Sequence, residues 1–373
     1  MCEKRVEPFL RRNCCELERI FDDERFPNVV CGTDGTVIAT WGRNELLSRS
    51  SYDGGSTWNA GVRATEGIHG GGTLVDESTG DVFAFTHPEH PSGDHSFDRR
   101  TTVKSEDNGQ TWEVASAQFA KDSNGNVPAL HMCERGLTLQ HSSNAGRLIR
   151  PARVYGDPGY NTAIYSDDGG ETWEASEPFP IEGTGEAAIE ELRDGRLYYS
   201  SRKHYFDPEA EELRHERLVA WSDDGGETWT NPTYESILPD GPRYRGEEGR
   251  GSNYNGHFGM MGGLTRLPSR ERDILLYSNA DNPGHERKRM TVWASFDGAQ
   301  TWPVKRLVDD EFAAYSSLVA GRPETPSEGW VYLLYESGSD GDYEDGTLAR
   351  FDLGWLLDGT LTGDGDIPAE LSN

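Results

Sequence analysis

The chain has 373 residues, 34% hydrophobic and 10% aromatic, with 44 glycines and 10 tryptophans, the make-up of a turn-rich β protein rather than a helical or disordered one. Its 65 acidic and 36 basic side chains give a formal net charge of −29, which argues against nucleic acid and anionic membranes as partners. The acid is spread along the whole chain, a surface suited to high salt because screening removes most self-repulsion, so a halophilic host is expected. Five cysteines, an odd number including the adjacent Cys14–Cys15, do not make a disulfide framework, and their spacing matches no structural zinc site.

In chain order, MCEKRVEPFLRRNCCELERIF lacks the apolar core of a signal peptide or anchor. Residues 1–20 read as an N-terminal extension, the rest of 1–373 as one domain, and a cytoplasmic location is expected. The segment ERFPNVV then leads into a short β-rich run, GTVIATW. Further runs of this kind follow, broken by glycine or Asp-Gly turns: DVFAF, GRLIRPARVY, GRLYYSSR, RDILLYS, MTVWAS and GWVYLLYE. Among them one phrase recurs: SYDGGSTW from Ser51, SEDNGQTW from Ser105, SDDGGETW from Ser166 and again from Ser222, and SFDGAQTW from Ser295. A repeat of 54 to 73 residues carrying four short strands per interval is the content of a propeller blade. Within the phrase, aspartate bonds backbone N–H groups two residues on, glycine supplies positive φ in a tight hairpin, and tryptophan packs between sheets. Asp53, Asp107, Asp168, Asp224 and Asp297 are therefore structural, and one carboxylate per turn is too few oxygens for calcium.

Two other stretches stand out on an acidic chain. GIHGGGTLVDESTGDVFAFTHPEHPSGDH holds His69, His87, His90 and His95, four of ten histidines, and its glycine run suits close backbone approach at the mouth of a site. Downstream, HMCERGLTLQ adds His131 and Glu134, and GRLIRPARVY places Arg147, Arg150 and Arg153 on one strand, a local basic patch for an anionic ligand. No metal site and no cofactor are expected, because HPEHP looks like a rigid loop rather than a spaced ligand strand.

The pattern S-x-D-x-G-x-T-W is the Asp-box, and with five copies the chain resembles the sialidase (neuraminidase) superfamily. The resemblance implies a six-bladed all-β propeller of four-stranded antiparallel blades; the fifth box departs from it mildly, with Ala299 at the second glycine. It also implies three arginines that hold a substrate carboxylate, since planar guanidinium groups fit one bidentately. On the family's motifs these align with Arg25 of ERFPNVV, Arg202 of GTGEAAIEELRDGRLYYSSRKH and Arg287 of ERKRMTVWASFDGAQTW, with Arg289 a nearby rival. Glu186 aligns with the family's catalytic glutamate and Tyr315 of EFAAYSSLVAGRP with its tyrosine. A tyrosine suits such a substrate because a carboxylate nucleophile would be repelled by the sugar's own carboxylate.

One departure bears on the reaction. The family's acid/base aspartate follows the first arginine by about 17 residues in the resemblance, which lands here at Gly42, and no aspartate occurs from there to Asp53; Glu45 is the nearest substitute. The expected function is an exo-glycoside hydrolase acting on a sialic- or nonulosonic-acid-like sugar of an acidic oligosaccharide or glycoconjugate. The site comprises Tyr315, Glu186, His69 and Glu45 as catalytic groups and Arg25, Arg202, Arg287, Arg150 and His87 as binding groups. Two other readings stay open. Histidine, tyrosine and arginine together also suit β-elimination from a uronic acid, as in ulvan lyases that use β-propellers, and a non-catalytic glycan-binding propeller is the third.

Overall fold

The computed structural model describes residues 6–91, 100–156, 159–204, 216–241, 259–284, 286–341 and 343–371. Four sheets, spanning 28–66, 68–115, 118–175 and 184–239, form the first four blades. An eight-stranded sheet forms the last two, joined by one long strand, Val304–Ala320. Its first half pairs with Lys288–Ser295 as the outer strand of the fifth blade. Beyond a bulge between Ala313 and Ser316 its second half pairs with Val331–Gly338 as the inner strand of the sixth.

The ring is closed by the two ends of the chain. Cys15–Asp22 lies antiparallel to Asp345–Phe351 as the outermost strand of the sixth blade. The extension read as residues 1–20 thus ends inside the sheet. Four consecutive exposed residues, Glu16 to Arg19, mask the alternation that marks a strand, because an outermost strand packs only in part.

The same closure explains why five boxes serve six blades. Each box joins the third strand of a blade to the fourth: 51–58, 105–112, 166–173, 222–229 and 295–302. In the sixth blade those two strands come from opposite ends of the chain, so no hairpin connects them. Within a box the geometry is constant. Asp168 Oδ1 accepts from Ser166 Oγ at 2.8 Å and Thr172 N at 2.9 Å, and Oδ2 accepts from Thr172 Oγ1 at 2.5 Å. Asp53, Asp107, Asp224 and Asp297 repeat these three bonds. Trp173 and Trp302 are buried between sheets, and such wedges of aromatic and aliphatic side chains make up the core.

Inner strands start at one end of the central channel and third strands run in the same sense, so the boxes lie at the opposite face. At that face Arg135 crosses the axis from Leu318 O (2.9 Å) to Glu190 Oε2 (2.5 Å), beside a cavity of about 250 Å³. Among the described residues no helix is long and apolar enough to cross a membrane.

Candidate active site

The other end of the channel is built around Tyr315, which emerges at the bulge where the chain enters the sixth blade. Its hydroxyl donates to Glu186 Oε1 at 2.9 Å and accepts from Arg202 Nη1 at 3.0 Å. Arg202 Nη1 also donates to Glu186 Oε2 at 2.7 Å. The guanidinium carbons of Arg25 and Arg287 lie 5.1 and 5.4 Å from the centre of the Tyr315 ring. Side chains from the first, fourth, fifth and sixth blades thus meet at one phenol.

Each is fixed by local structure. Glu186 and Arg202 sit on neighbouring strands, Thr184–Glu191 and Leu197–Lys203, which a bulge between Thr184 and Ala187 sets out of simple register. Gly185 lets the His204 ring close onto this bulge; a Cβ there would fall 2.7 Å from His204 Nδ1. That nitrogen lies 3.3 Å from Glu186 Oε2, and Arg153 Nη1 is 3.6 Å from Oε1. Asp240 holds the end of the Arg202 strand by accepting from Lys203 N and Arg217 Nη1, both at 2.7 Å. Arg287 donates to Tyr343 Oη at 2.6 Å and Gly259 O at 2.9 Å. Its rival Arg289 points instead to Asp310 at the surface.

Arg25 occupies a strained turn. Phe26 has φ +79°, a conformation that costs a bulky residue roughly 1–3 kcal/mol. Glu336, fully buried, holds the turn: it accepts from Arg25 Nε (2.9 Å) and Nη2 (3.2 Å), from Phe26 N (3.2 Å) and from Tyr315 N (3.1 Å).

The electrostatics are those of a buried cation–anion cluster. Burial alone would raise the Glu186 carboxyl, but Arg202, then His204 and Arg153, hold it well below the usual range. Burial and then Glu186 push the Tyr315 hydroxyl up, against the pull of Arg202, Arg287 and Arg25. Burial disfavours the Arg25 cation, yet Glu336 and the two tyrosines outweigh it and its pKa is raised.

Other residues singled out from the sequence lie elsewhere. Arg150 is fully buried between the second and third blades, donating to Pro151 O at 3.0 Å and Gly70 O at 3.3 Å, so it does not face the mouth. The glycine run packs against this neighbourhood: a Cβ on Gly72 would lie 2.3 Å from the Arg150 guanidinium. His69 is fully buried, with Nδ1 2.8 Å from Phe26 O and Nε2 near Thr40 and Thr73; burial lowers it to about 4, a neutral support for the Arg25 turn. His87 Nε2 accepts from Leu130 N at 2.9 Å in the interior. Glu45 is exposed and pairs with Arg63 at 3.0 Å. His95 lies outside the described residues. Glu336, His204 and Tyr343 were not anticipated, although an acidic residue in the apolar run GWVYLLYESG is a buried charge in need of a cation. Among the described residues no group of three or more His, Cys, Asp or Glu is gathered closely enough to hold a metal ion.

This architecture agrees with comparison to known proteins. Residues 68–325 match the BNR repeat-like domain family. The chain therefore belongs to that family, within the sialidase/BNR β-propeller superfamily. A sialidase of Micromonospora viridifaciens is 29% identical over 375 residues, covering 90% of this chain and 52% of the relative. A Hadza microbial sialidase, Hz136, superposes with a TM-score of 0.63 at 22% identity, over 90% of this chain and 66% of that one. Trypanosoma rangeli sialidase, solved with 2,3-difluorosialic acid as a covalent intermediate, superposes with a TM-score of 0.64 at 19% identity, over 91% of this chain and 55% of that one. The chain spans about half the length of the curated relatives it matches.

Proposed function

We propose that the protein is an exo-glycoside hydrolase that releases a sialic- or nonulosonic-acid-like sugar from a glycoconjugate. The observation that carries this reading is the Tyr315 hydroxyl held between Glu186 and Arg202 at 2.9 and 3.0 Å, with Arg25 and Arg287 beside its ring. In this reading the three arginines receive the sugar's carboxylate and bring its anomeric carbon to Tyr315. The resting phenol is a poor nucleophile, and Glu186 removes its proton as the new bond forms. Substrate binding favours that transfer. A carboxylate that engages Arg202 relaxes its hold on Glu186, so the proton affinity of Glu186 climbs toward that of the phenol. The relatives named as sialidases support the substrate class.

The test is release of free sugar from an aryl sialoside assayed at several salt concentrations. Tyr315→Phe is expected to lower kcat/KM at least ~10²-fold, and Glu186→Gln by ~10²–10⁴-fold. A wild-type enzyme that instead turns uronate oligosaccharides into unsaturated, ultraviolet-absorbing products would replace this reading with elimination.

A further inference from the structure

Resting on the hydrolase reading, a second group must protonate the departing oxygen and later accept a proton from water. The loop after the first strand pair supplies none. Gly42 N is tied to Arg25 O at 2.7 Å. Arg43 N and Asn44 N close onto Glu24 Oε2 at 2.6 and 3.0 Å, which engages that carboxylate in the turn. We propose that His90, from the second blade, is this acid–base group.

His90 is exposed, unlike the buried His69, His87 and His131. Its ring packs 4.5 Å from that of His131 and 5.6 Å from that of Tyr155. His131 stands edge-on to Phe26 at 5.5 Å, and Phe26 lies 6.4 Å from Tyr315. A continuous wall of rings therefore runs from His90 to the nucleophile. Pro88 and Pro91 bracket Glu89–His90 and restrict the loop backbone. Among the described residues of this rim, His204 Nδ1 lies 3.3 Å from Glu186 Oε2 and Tyr343 Oη accepts from Arg287 Nη1 at 2.6 Å.

Among the described residues, the charged and titratable groups around His90 are Arg153, His131 and Tyr155 of the third blade, Glu186 of the fourth, Arg43 of the first and Glu89 of its own loop. Partial desolvation on the side packed against the His131 and Tyr155 rings, then Arg153 and Arg43, lower the imidazole, and Glu186 opposes them. An incoming substrate carboxylate adds negative charge here and favours the imidazolium.

In the first step Tyr315 Oη bonds to the anomeric carbon while the bond to the leaving oxygen breaks. The phenol proton passes to Glu186, and the imidazolium proton of His90 passes to the leaving oxygen. In the second step neutral His90 takes a proton from water, whose oxygen bonds to the anomeric carbon. The bond to Tyr315 breaks, and Glu186 returns its proton to the phenolate.

A general acid matters only where the leaving group needs a proton, so the test compares two sialosides in His90→Gln. With an alkyl sialoside such as sialyllactose the variant is expected to lose ~10²–10⁴-fold in kcat/KM. With a nitrophenyl sialoside, whose leaving group departs unprotonated, formation of the sugar–enzyme bond stays within about tenfold of wild type, which also reports that the variant is folded. In wild type, alkyl sialoside cleavage falls as pH rises through a value below the ordinary 6.5 of histidine, and this limb is absent from the variant. Equal losses on both substrates, or retained alkyl sialoside cleavage, overturn the assignment of His90 alone. A wild-type enzyme that cleaves neither sialoside overturns the hydrolase reading and the assignment with it.

Discussion

Glu336 shows how much one unaligned residue contributes. It fixes Arg25, the strained Phe26 turn and the Tyr315 backbone at once, and its side chain is fully buried while that of Arg25 is 19% exposed. Glu336→Gln keeps the shape but leaves Arg25 without its counter-charge, a change that typically costs ~3–5 kcal/mol in a buried pair and less here because Arg25 reaches water. The expected outcome is a lower Tm and a KM for the aryl sialoside raised about tenfold, with kcat within about threefold; steady-state kinetics beside a melting curve check it. A fall in kcat at unchanged KM would place Glu336 in the chemistry instead. Arg25, Glu186, Arg202, Arg287 and Tyr315 were legible because each stands in a local motif. Glu336 was not, because it lies 311 residues from Arg25 along the chain and carries no motif of its own. The histidines show the converse. Their clustering drew attention, but spacing does not distinguish His69 and His87, which satisfy interior backbone groups, from His90 at the surface.

At the scale of the element, the box hairpin is a self-contained unit, which is why the five copies were readable from the chain alone. Asp168 ties a serine and a threonine at three points, and hydrogen bonds to a charged acceptor contribute about 1.5–3 kcal/mol each at most. Much of the hairpin is exposed, so Asp168→Ala is expected to destabilise by ~1–2 kcal/mol, read as a drop in denaturation midpoint. KM and kcat stay at wild-type values, because the box lies at the face opposite Tyr315. Altered kinetics at unchanged stability would contradict the structural role of the box. The closing strand Cys15–Asp22 was harder to read, since its pairing with Asp345–Phe351 spans nearly the whole chain and its exposed acidic face resembles a loop.

At the scale of the molecule, the ring is what turns scattered residues into a site. No blade holds more than part of it: Arg25 comes from the first, Glu186 and Arg202 from the fourth, Arg287 from the fifth and Tyr315 from the sixth. Closure by the two chain ends fixes the sixth blade against the first, and so holds Tyr315 against Arg25. The acidic surface, with a net charge of −29, repels itself at low salt, so activity is properly measured across ionic strength. On the hydrolase reading proposed above, this ring presents Tyr315 as the nucleophile toward a sialic-acid-like sugar. The most direct measurement is peptide mass spectrometry after incubation with 2,3-difluorosialic acid. The account predicts one added sugar on the peptide carrying Tyr315 and none in Tyr315→Phe; an unlabelled wild-type protein that still cleaves sialosides, or a label on another residue, would contradict it.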